Sequence, residues 1–169
     1  MLIFRDATLG DLPGIVEIYN SVVPTRMVTA DTEPVTLESR LTWYHDHDPL
    51  RRPLWVVETE EGHMAGWVSF QSFYERPAYE ATVEISIYLD PAYRGRGLGR
   101  EVLQTSLERA STIGLRNIVG FIFAHNEPSM ALFTKAGFEQ WGYLPLVATL
   151  DGMERSVVIM GKKINSPTP

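Results

Sequence analysis

The chain of 169 residues contains no cysteine, and this absence excludes disulfides, thiolate metal sites and cysteine nucleophiles together. It also has only four histidines. His45 and His47 are the only two that lie close in sequence, and their segment, with Asp46 and Asp48, is typical of a solvated helix end. We therefore expect no metal site.

The sequence also lacks long apolar runs and an excess of basic residues. No stretch of about 18 or more apolar residues is present to span a bilayer, and residues 1–5 do not begin a secretory signal. The formal net charge of -6 disfavours nucleic-acid binding, which needs a clustered basic surface. We therefore expect a cytoplasmic protein that acts on a small molecule, with neither a membrane nor a nucleic acid as partner.

Apolar periodicity and turn residues predict the order of the elements. They indicate a strand, two helices, three strands, a helix, a strand, a helix and a terminal hairpin at Asp151-Gly152. Residues 1–163 are expected to form one domain, followed by a flexible tail over residues 164–169. This order is typical of an α/β fold, classed as α+β in some schemes, whose mixed central sheet carries helices on both faces.

The strand predicted over residues 82–90 alternates between two kinds of side chain. Its apolar positions are Val83, Ile85, Ile87 and Leu89. Its other positions are Thr82, Glu84, Ser86 and Tyr88. Because alternate residues of a strand point to opposite faces, one face is expected to pack on the core and the other to carry chemistry.

A glycine-rich turn follows this strand and opens a helix. The first N–H groups of a helix are unpaired and its dipole favours negative charge, so such a turn can bind a pyrophosphate. Glycines allow the main chain to approach the phosphates, and arginines can add charge-assisted contacts. The turn reads Arg94-Gly95-Arg96-Gly97-Leu98-Gly99-Arg100. It lacks the Lys-Ser/Thr ending of a P-loop, and it comes too late for a dinucleotide fold; a connection without a ligand is the alternative.

These motifs resemble the GNAT superfamily of N-acetyltransferases, and especially its phosphinothricin and methionine sulfoximine acetyltransferase branch. The acetyl-CoA loop of that superfamily follows the pattern Arg/Gln-x-x-Gly-x-Gly/Ala, which residues 94–99 meet in full. The other similar blocks are Ile18-Tyr19-Asn20, Arg40-x-x-Trp43, Thr82-Val83-Glu84-x-Ser86-x-Tyr88, Asn126-x-x-Ser129 and Ala136-Gly137-Phe138. The resemblance covers nearly the whole chain. It implies an acyltransferase with a splayed central sheet and acetyl-CoA as co-substrate.

The resemblance also implies where acetyl-CoA binds. The main chain of Ile87, Tyr88 and Leu89 would pair with the pantetheine arm, and Asn126, with Ser129 nearby, would contact the same region. The pyrophosphate would be held by the turn and the first helical residues, Arg94, Gly95, Arg96, Gly97, Leu98, Gly99 and Arg100. For Asn126 a plain helix cap is the alternative, and the two roles can coexist.

Glu84 matches the general base that the branch uses to take a proton from the acceptor amine, directly or through water. An exposed strand glutamate is the alternative. The N–H of Leu89 would stabilise the tetrahedral oxyanion. Many relatives have a tyrosine on the last helix as general acid, but Phe133 stands at the matching position and has no proton to give. The candidate proton donors for the departing thiolate are therefore solvent, Tyr88 and His125.

The resemblance implies that the substrate binds beside Glu84, at Ile85 and Ser86, and in the loop before that strand, at Tyr74, Glu75 and Arg76. Arg76 can hold a carboxylate bidentately. However, it is displaced from the arginine in the Arg-Pro-Phe triplet of close relatives, and a solvated loop arginine explains it equally well.

The predicted reaction is acetylation of the primary amine of a small amino acid or analogue, such as phosphinothricin or methionine sulfoximine. Two alternatives remain: acetylation of protein N-termini or other amines, and an acetyl-CoA-binding sensor without turnover. Trp141, Tyr143 and the terminal hairpin are a candidate homodimer interface, as in relatives, although aromatic strand residues also serve as core.

Overall fold

A mixed β-sheet forms the centre of the computed structural model, which describes residues 1–164. Its strands are β1 (Ile3–Asp6), β2 (Leu54–Glu58), β3 (Met64–Ser72), β4 (Thr82–Leu89), β5 (Asn117–Phe123), β6 (Glu139–Leu150) and β7 (Met153–Lys163). The helices are α1 (Leu12–Val22), α2 (Leu41–His45), α3 (Leu98–Thr112) and α4 (Glu127–Lys135). The predicted element order and α/β class are confirmed.

The strands lie in the order β1-β2-β3-β4-β5-β7-β6. Every neighbouring pair is antiparallel except β4 with β5, which is parallel. A parallel pair needs a crossover, and α3 supplies it between the two strands. The end of β4, the turn that follows it and the start of α3 therefore meet in the middle of the sheet.

Helices cover both faces of the sheet, as predicted. On one face α3 packs through residues such as Val102 and Leu103, and α4 packs through Phe133. On the other face α1 packs through residues such as Leu12 and Ile15. Full burial of such side chains stabilises the fold by about 1.5–3 kcal/mol each.

Short 3-10 turns precede both α1 and α2. Residues Leu9–Asp11 form a 3-10 turn before α1, because the Asp11 carboxylate accepts hydrogen bonds from Thr8 N at 2.7 Å and Arg5 Nη1 at 2.7 Å. These bonds, with Arg5 as the main cause, lower the pKa of Asp11 to about 2. The second 3-10 turn, Glu38–Arg40, leads into α2, which ends at His45.

The predicted flexible tail begins one residue too early. Ile164 is buried, and its N–H donates to the carbonyl of Arg116 at 2.8 Å. Residues 165–169 lie outside the described residues.

Within residues 1–164, no helix is both long and apolar enough to cross a membrane.

Candidate active site

β4 and β5 separate from each other partway along their length. They pair only at Thr82, Val83 and Glu84 of β4, whereas β4 stays paired with β3 as far as Leu89. The last five residues of β4 therefore have a strand neighbour on one side only. A gap opens between β4 and β5 at their carboxyl ends, where β4 has an unpaired edge that an extended group could join as an added strand.

Main-chain groups of Ile87 and Leu89 point into this gap. The N–H of Asp90 donates to Ala65 beside β3, whereas the carbonyl of Ala81 accepts from Arg116 and Asn117 on the β5 side. Since successive residues of a strand direct their N–H and C=O groups to alternate sides, odd-numbered residues of β4 face β5. Tyr88, which pairs with Trp67 of β3, presents its side chain to the cavity but not its main chain.

The glycine-rich turn has the backbone geometry that an anion site needs. Gly95 (φ 73°) and Gly97 (φ 76°) lie in the left-handed region, which favours glycine, and Gly97 is the N-cap of α3. No side chain caps the helix. The N–H groups at the start of this 15-residue helix are therefore available to a ligand, and the helix dipole favours a negative one.

The arginines of the turn differ in their contacts. The guanidinium of Arg94 bends back and donates to the carbonyl of Leu89 at 3.1 Å and 3.3 Å. Arg96 lies over the ring of Tyr93, 5.8 Å from its centroid, and Arg100 is exposed. Arg94 thus occupies the carbonyl of Leu89 and leaves the N–H of the same residue directed into the gap.

A cavity of about 850 Å³ extends from this gap across the sheet. Of the residues predicted for the site, it is lined by Glu84, Ile85, Ser86, Ile87, Tyr88, Leu89, Arg94, Gly99, Asn126 and Ser129. The turn residues Gly95, Arg96 and Gly97 are exposed beside it, and Leu98 and Arg100 likewise lie outside its lining. The predicted base and the predicted pantetheine and pyrophosphate sites therefore adjoin one continuous space.

Glu84 stands in the wall of this cavity with little else to stabilise its charge. It faces Gln71 across the β3–β4 pair. Burial raises the pKa of Glu84 above its ordinary value of 4.5, because the charged form loses solvation. A carboxyl group with a raised pKa binds a proton more readily than an exposed one, which suits it to receive a proton from an amine.

Asn126 joins α4 to the loop that follows α1. Its Oδ1 accepts from the N–H of Ser129 at 3.2 Å as the helix cap, and its Nδ2 donates to the carbonyl of Met27 at 2.9 Å. The side chain is 6% exposed. Asn126 thus fulfils the cap role and also holds residues 25–30 against the cavity, a second role that the sequence did not indicate.

The two side chains considered for thiolate protonation differ in position. Tyr88 lines the cavity, and burial raises the pKa of its hydroxyl. His125 lies outside the lining; its Nε2 is 2.9 Å from the carbonyl of Arg26. Phe133 does line the cavity and closes it with an apolar ring.

The predicted substrate loop does not line the large cavity. Tyr74, Glu75 and Arg76 line a separate, shallower hollow of about 370 Å³ and are absent from the lining of the large cavity. That large cavity instead contains side chains from α1, the following loop and α2, including Tyr19, Thr29, Arg40 and Trp43. The Ile18-Tyr19-Asn20 and Arg40-x-x-Trp43 blocks were the sequence signals that pointed to this wall.

No group of three or more histidine, aspartate or glutamate side chains in residues 1–164 is arranged to hold a metal ion.

Comparison with known proteins identifies relatives of the whole chain. The family model for the acetyltransferase (GNAT) domain matches residues 1–139. YwnH of Bacillus subtilis, whose name assigns it only provisionally as a phosphinothricin acetyltransferase, is 49% identical over 161 residues, 95% of this chain and 98% of its own. The L-methionine sulfoximine/L-methionine sulfone acetyltransferase of Pseudomonas aeruginosa is 35% identical over 143 residues, 85% of this chain and 83% of its own.

One solved structure with the same fold contains bound acetyl-CoA. It is the GNAT superfamily phosphinothricin acetyltransferase of Sinorhizobium meliloti in complex with acetyl-CoA. Its TM-score is 0.90 at 28% identity, and the match covers 99% of this chain and 90% of that one. Since the family match takes in β4, the glycine-rich turn and every helix, the chain belongs to the GNAT family of acetyltransferases.

Proposed function

We propose that this protein transfers the acetyl group of acetyl-CoA to the primary amine of a small amino acid or analogue, such as phosphinothricin or methionine sulfoximine. The observation that carries the proposal is the position of Glu84 in one cavity with the gap beside β4. The names of its relatives support an amino-acid analogue as acceptor.

The residues of the cavity have distinct parts in this reaction. Acetyl-CoA supplies a thioester, whose pantetheine arm would lie in the gap with its pyrophosphate at residues 95–99. Glu84 takes a proton from the acceptor amine, directly or through water, so that the nitrogen lone pair can attack. The N–H of Leu89 donates to the thioester oxygen as negative charge develops there. Collapse of the tetrahedral intermediate breaks the C–S bond and releases the CoA thiolate. A thiol with a pKa of about 8.5 needs no strong acid, so Tyr88 or water can protonate this thiolate.

The proposal predicts that kcat/KM falls at acidic pH because a group of the enzyme, Glu84, becomes protonated. Only ionised Glu84 can accept a proton, so activity rises as pH increases through its raised pKa. The acceptor amine, which must lose its own proton, adds a second ionisation at higher pH. pH profiles measured with acceptors of different amine pKa separate the two ionisations. The apparent pKa of the acceptor amine changes from one acceptor to the next, whereas the apparent pKa of Glu84 stays constant, above 4.5. An apparent enzyme pKa at or below 4.5 would contradict this assignment.

An amine-panel screen tests the proposed function itself. Purified protein is incubated with acetyl-CoA and L-amino acids, amino-acid analogues, simple amines or peptides, and free thiol is measured. We expect amino acids and analogues to release CoA well above the background rate. Preference for peptides would indicate a protein N-terminal acetyltransferase, and acetyl-CoA binding without thiol release for any amine would indicate a sensor.

We also propose that two copies associate through β6. Its exposed apolar side chains are Trp141, Tyr143, Leu144, Leu146 and Val147. Such a contiguous patch is typical of an interface. Sedimentation analysis should therefore give the mass of two chains, and the pair Tyr143→Glu and Val147→Glu should give the mass of one. A native protein that sediments as one chain at micromolar concentration would exclude the dimer.

We infer that the single N-acetyltransferase domain expected over residues 1–163 also includes Ile164, which is buried. Location in the cytoplasm stays a prediction, which cell fractionation can check.

A further inference from the structure

Arg40 provides a positive charge in the part of the cavity that is remote from the glycine-rich turn. It ends the 3-10 turn before α2 and lines the cavity. Its guanidinium carbon lies 4.6 Å from the ring centroid of Tyr19 and 5.8 Å from that of Trp43. The side chain is 24% exposed. Aromatic rings therefore hold this cation in place by cation–π contacts while part of it remains accessible.

One edge of the guanidinium is engaged and the rest is available. Nη2 donates to Asp31 Oδ2 at 3.0 Å. The hydroxyl of Tyr19 also donates to Asp31, so the aspartate shares its charge between two donors. An arginine has five N–H donors in a planar fork. Within residues 1–164, Nη2 is the only guanidinium nitrogen of Arg40 that donates a hydrogen bond. The remaining N–H groups can donate to a second carboxylate.

Arg40, Glu84 and Tyr88 line the same cavity. Burial is the main cause that raises the pKa of Tyr88; the charge of Arg40 opposes this rise, and that of Glu84 adds to it. Both charges thus act on one hydroxyl within the cavity. The other cation of the described lining, Arg94, is held at the carbonyl of Leu89 near the turn.

We propose that Arg40 binds the α-carboxylate of the acceptor while Glu84 receives the proton of its α-amine. The inference rests on the proposed function and narrows its substrate class to amino acids with a free carboxylate. An α-amino acid carries its two charged groups on one carbon, and the cavity offers a cation and a carboxylate that can take one each. The acceptor side chain then lies against the rings of Trp43, Trp67 and Tyr88. Arg76 lines a separate hollow and not this cavity.

The test compares an acid with its neutral counterpart. L-Methionine sulfone and its carboxamide carry the same side chain and amine, and only the first has a carboxylate. Steady-state kinetics with both acceptors are measured for the native enzyme and for Arg40→Gln. We expect Arg40→Gln to raise KM for the acid about 20-fold, because a charged hydrogen-bond partner is lost. Its KM for the carboxamide and its kcat for both should stay within about threefold.

Three further variants make the result specific. Arg51→Gln is the matched control, because Arg51 also pairs with a carboxylate, that of Glu80, but lies on the surface; its kinetics should equal those of the native enzyme. Arg40→Lys keeps the charge without the fork and should raise KM for the acid by a smaller factor. If Arg40→Gln does not fold, as judged by circular dichroism and acetyl-CoA calorimetry, this lysine variant decides. Arg76→Gln tests the rival arginine.

Two kinds of outcome would overturn the inference and can be told apart. If the Arg40 variants affect acid and carboxamide equally, or if Arg76→Gln alone separates them, Arg40 does not bind the carboxylate although the enzyme acetylates amines. If the native protein turns over neither acceptor nor any other amine, the proposed function fails together with the inference.

Discussion

Replacing Glu84 with glutamine should lower kcat for an amine acceptor by about 100- to 10,000-fold, the range expected for loss of a general base. Glutamine keeps the shape of the side chain but cannot accept a proton from the amine. The affinity for acetyl-CoA should change less than about twofold, because Glu84 is not among the co-substrate contacts predicted here, which lie at the end of β4, in residues 94–100 and at Asn126 and Ser129. Rapid-quench turnover at saturating substrates and calorimetry with CoA measure the two quantities separately.

Stability provides the control for this variant. Burial raises the pKa of Glu84, so the folded state binds its proton more tightly than the unfolded chain does. That contribution to stability is present below the unfolded pKa and is lost as pH rises through the folded one. At pH 7 the ionised carboxylate therefore costs stability, and Glu84→Gln should have a Tm at least equal to that of the native protein.

A control variant at a second glutamate shows whether loss of a carboxylate charge elsewhere in the protein also lowers kcat. Glu154 is an exposed glutamate on strand β7, and Glu154→Gln should retain native kcat. Near-normal turnover by Glu84→Gln at neutral pH would refute its role as base.

Replacing Gly97 with valine should raise the Kd for acetyl-CoA roughly 100-fold, equivalent to about 2.7 kcal/mol. Its φ of 76° is strained for a β-branched residue, and the left-handed region costs a non-glycine residue about 1–2 kcal/mol. A side chain at the cap of α3 also stands where the pyrophosphate must approach the main chain. Isothermal titration with acetyl-CoA measures the loss.

Gly62 offers a matched control for backbone strain. It lies in the β2–β3 turn with a φ of 81°, and, as at Gly97, a Cβ there would meet nothing within 4 Å. Gly62→Val should therefore lower stability much as Gly97→Val does, but leave the Kd unchanged. Equal Kd values for the two variants would show that residue 97 has no special part in binding the co-substrate.

Local patterns predicted the elements that depend on local chemistry. The alternation from Thr82 to Leu89 predicted β4 and the faces of its side chains. The Asp151-Gly152 pair predicted the hairpin, and both residues adopt the positive φ that such a turn needs. The glycines of the turn predicted the start of α3 for the same reason. In each case neighbouring residues alone determine the backbone conformation.

Long-range contacts explain what could not be predicted. The loop after α1 lies over the cavity because Arg26 pairs with Asp151, 125 positions away, and because Asn126 holds Met27. No local pattern indicates such partners. For the same reason Arg40 could be recognised as part of a similar block but not as a cavity residue. Arg76 was a candidate because the family resemblance pointed to its loop, whereas the fold places it in another hollow.

The crystal structure of this protein with acetyl-CoA tests the central claim most directly. We expect diphosphate oxygens within hydrogen-bonding distance of the main-chain N–H groups of residues 95–99, and the pantetheine arm in the gap beside β4. The thioester should then lie close to the N–H of Leu89, on the side of the sheet that Glu84 faces. A diphosphate bound elsewhere, or a thioester on the opposite face from Glu84, would contradict the account.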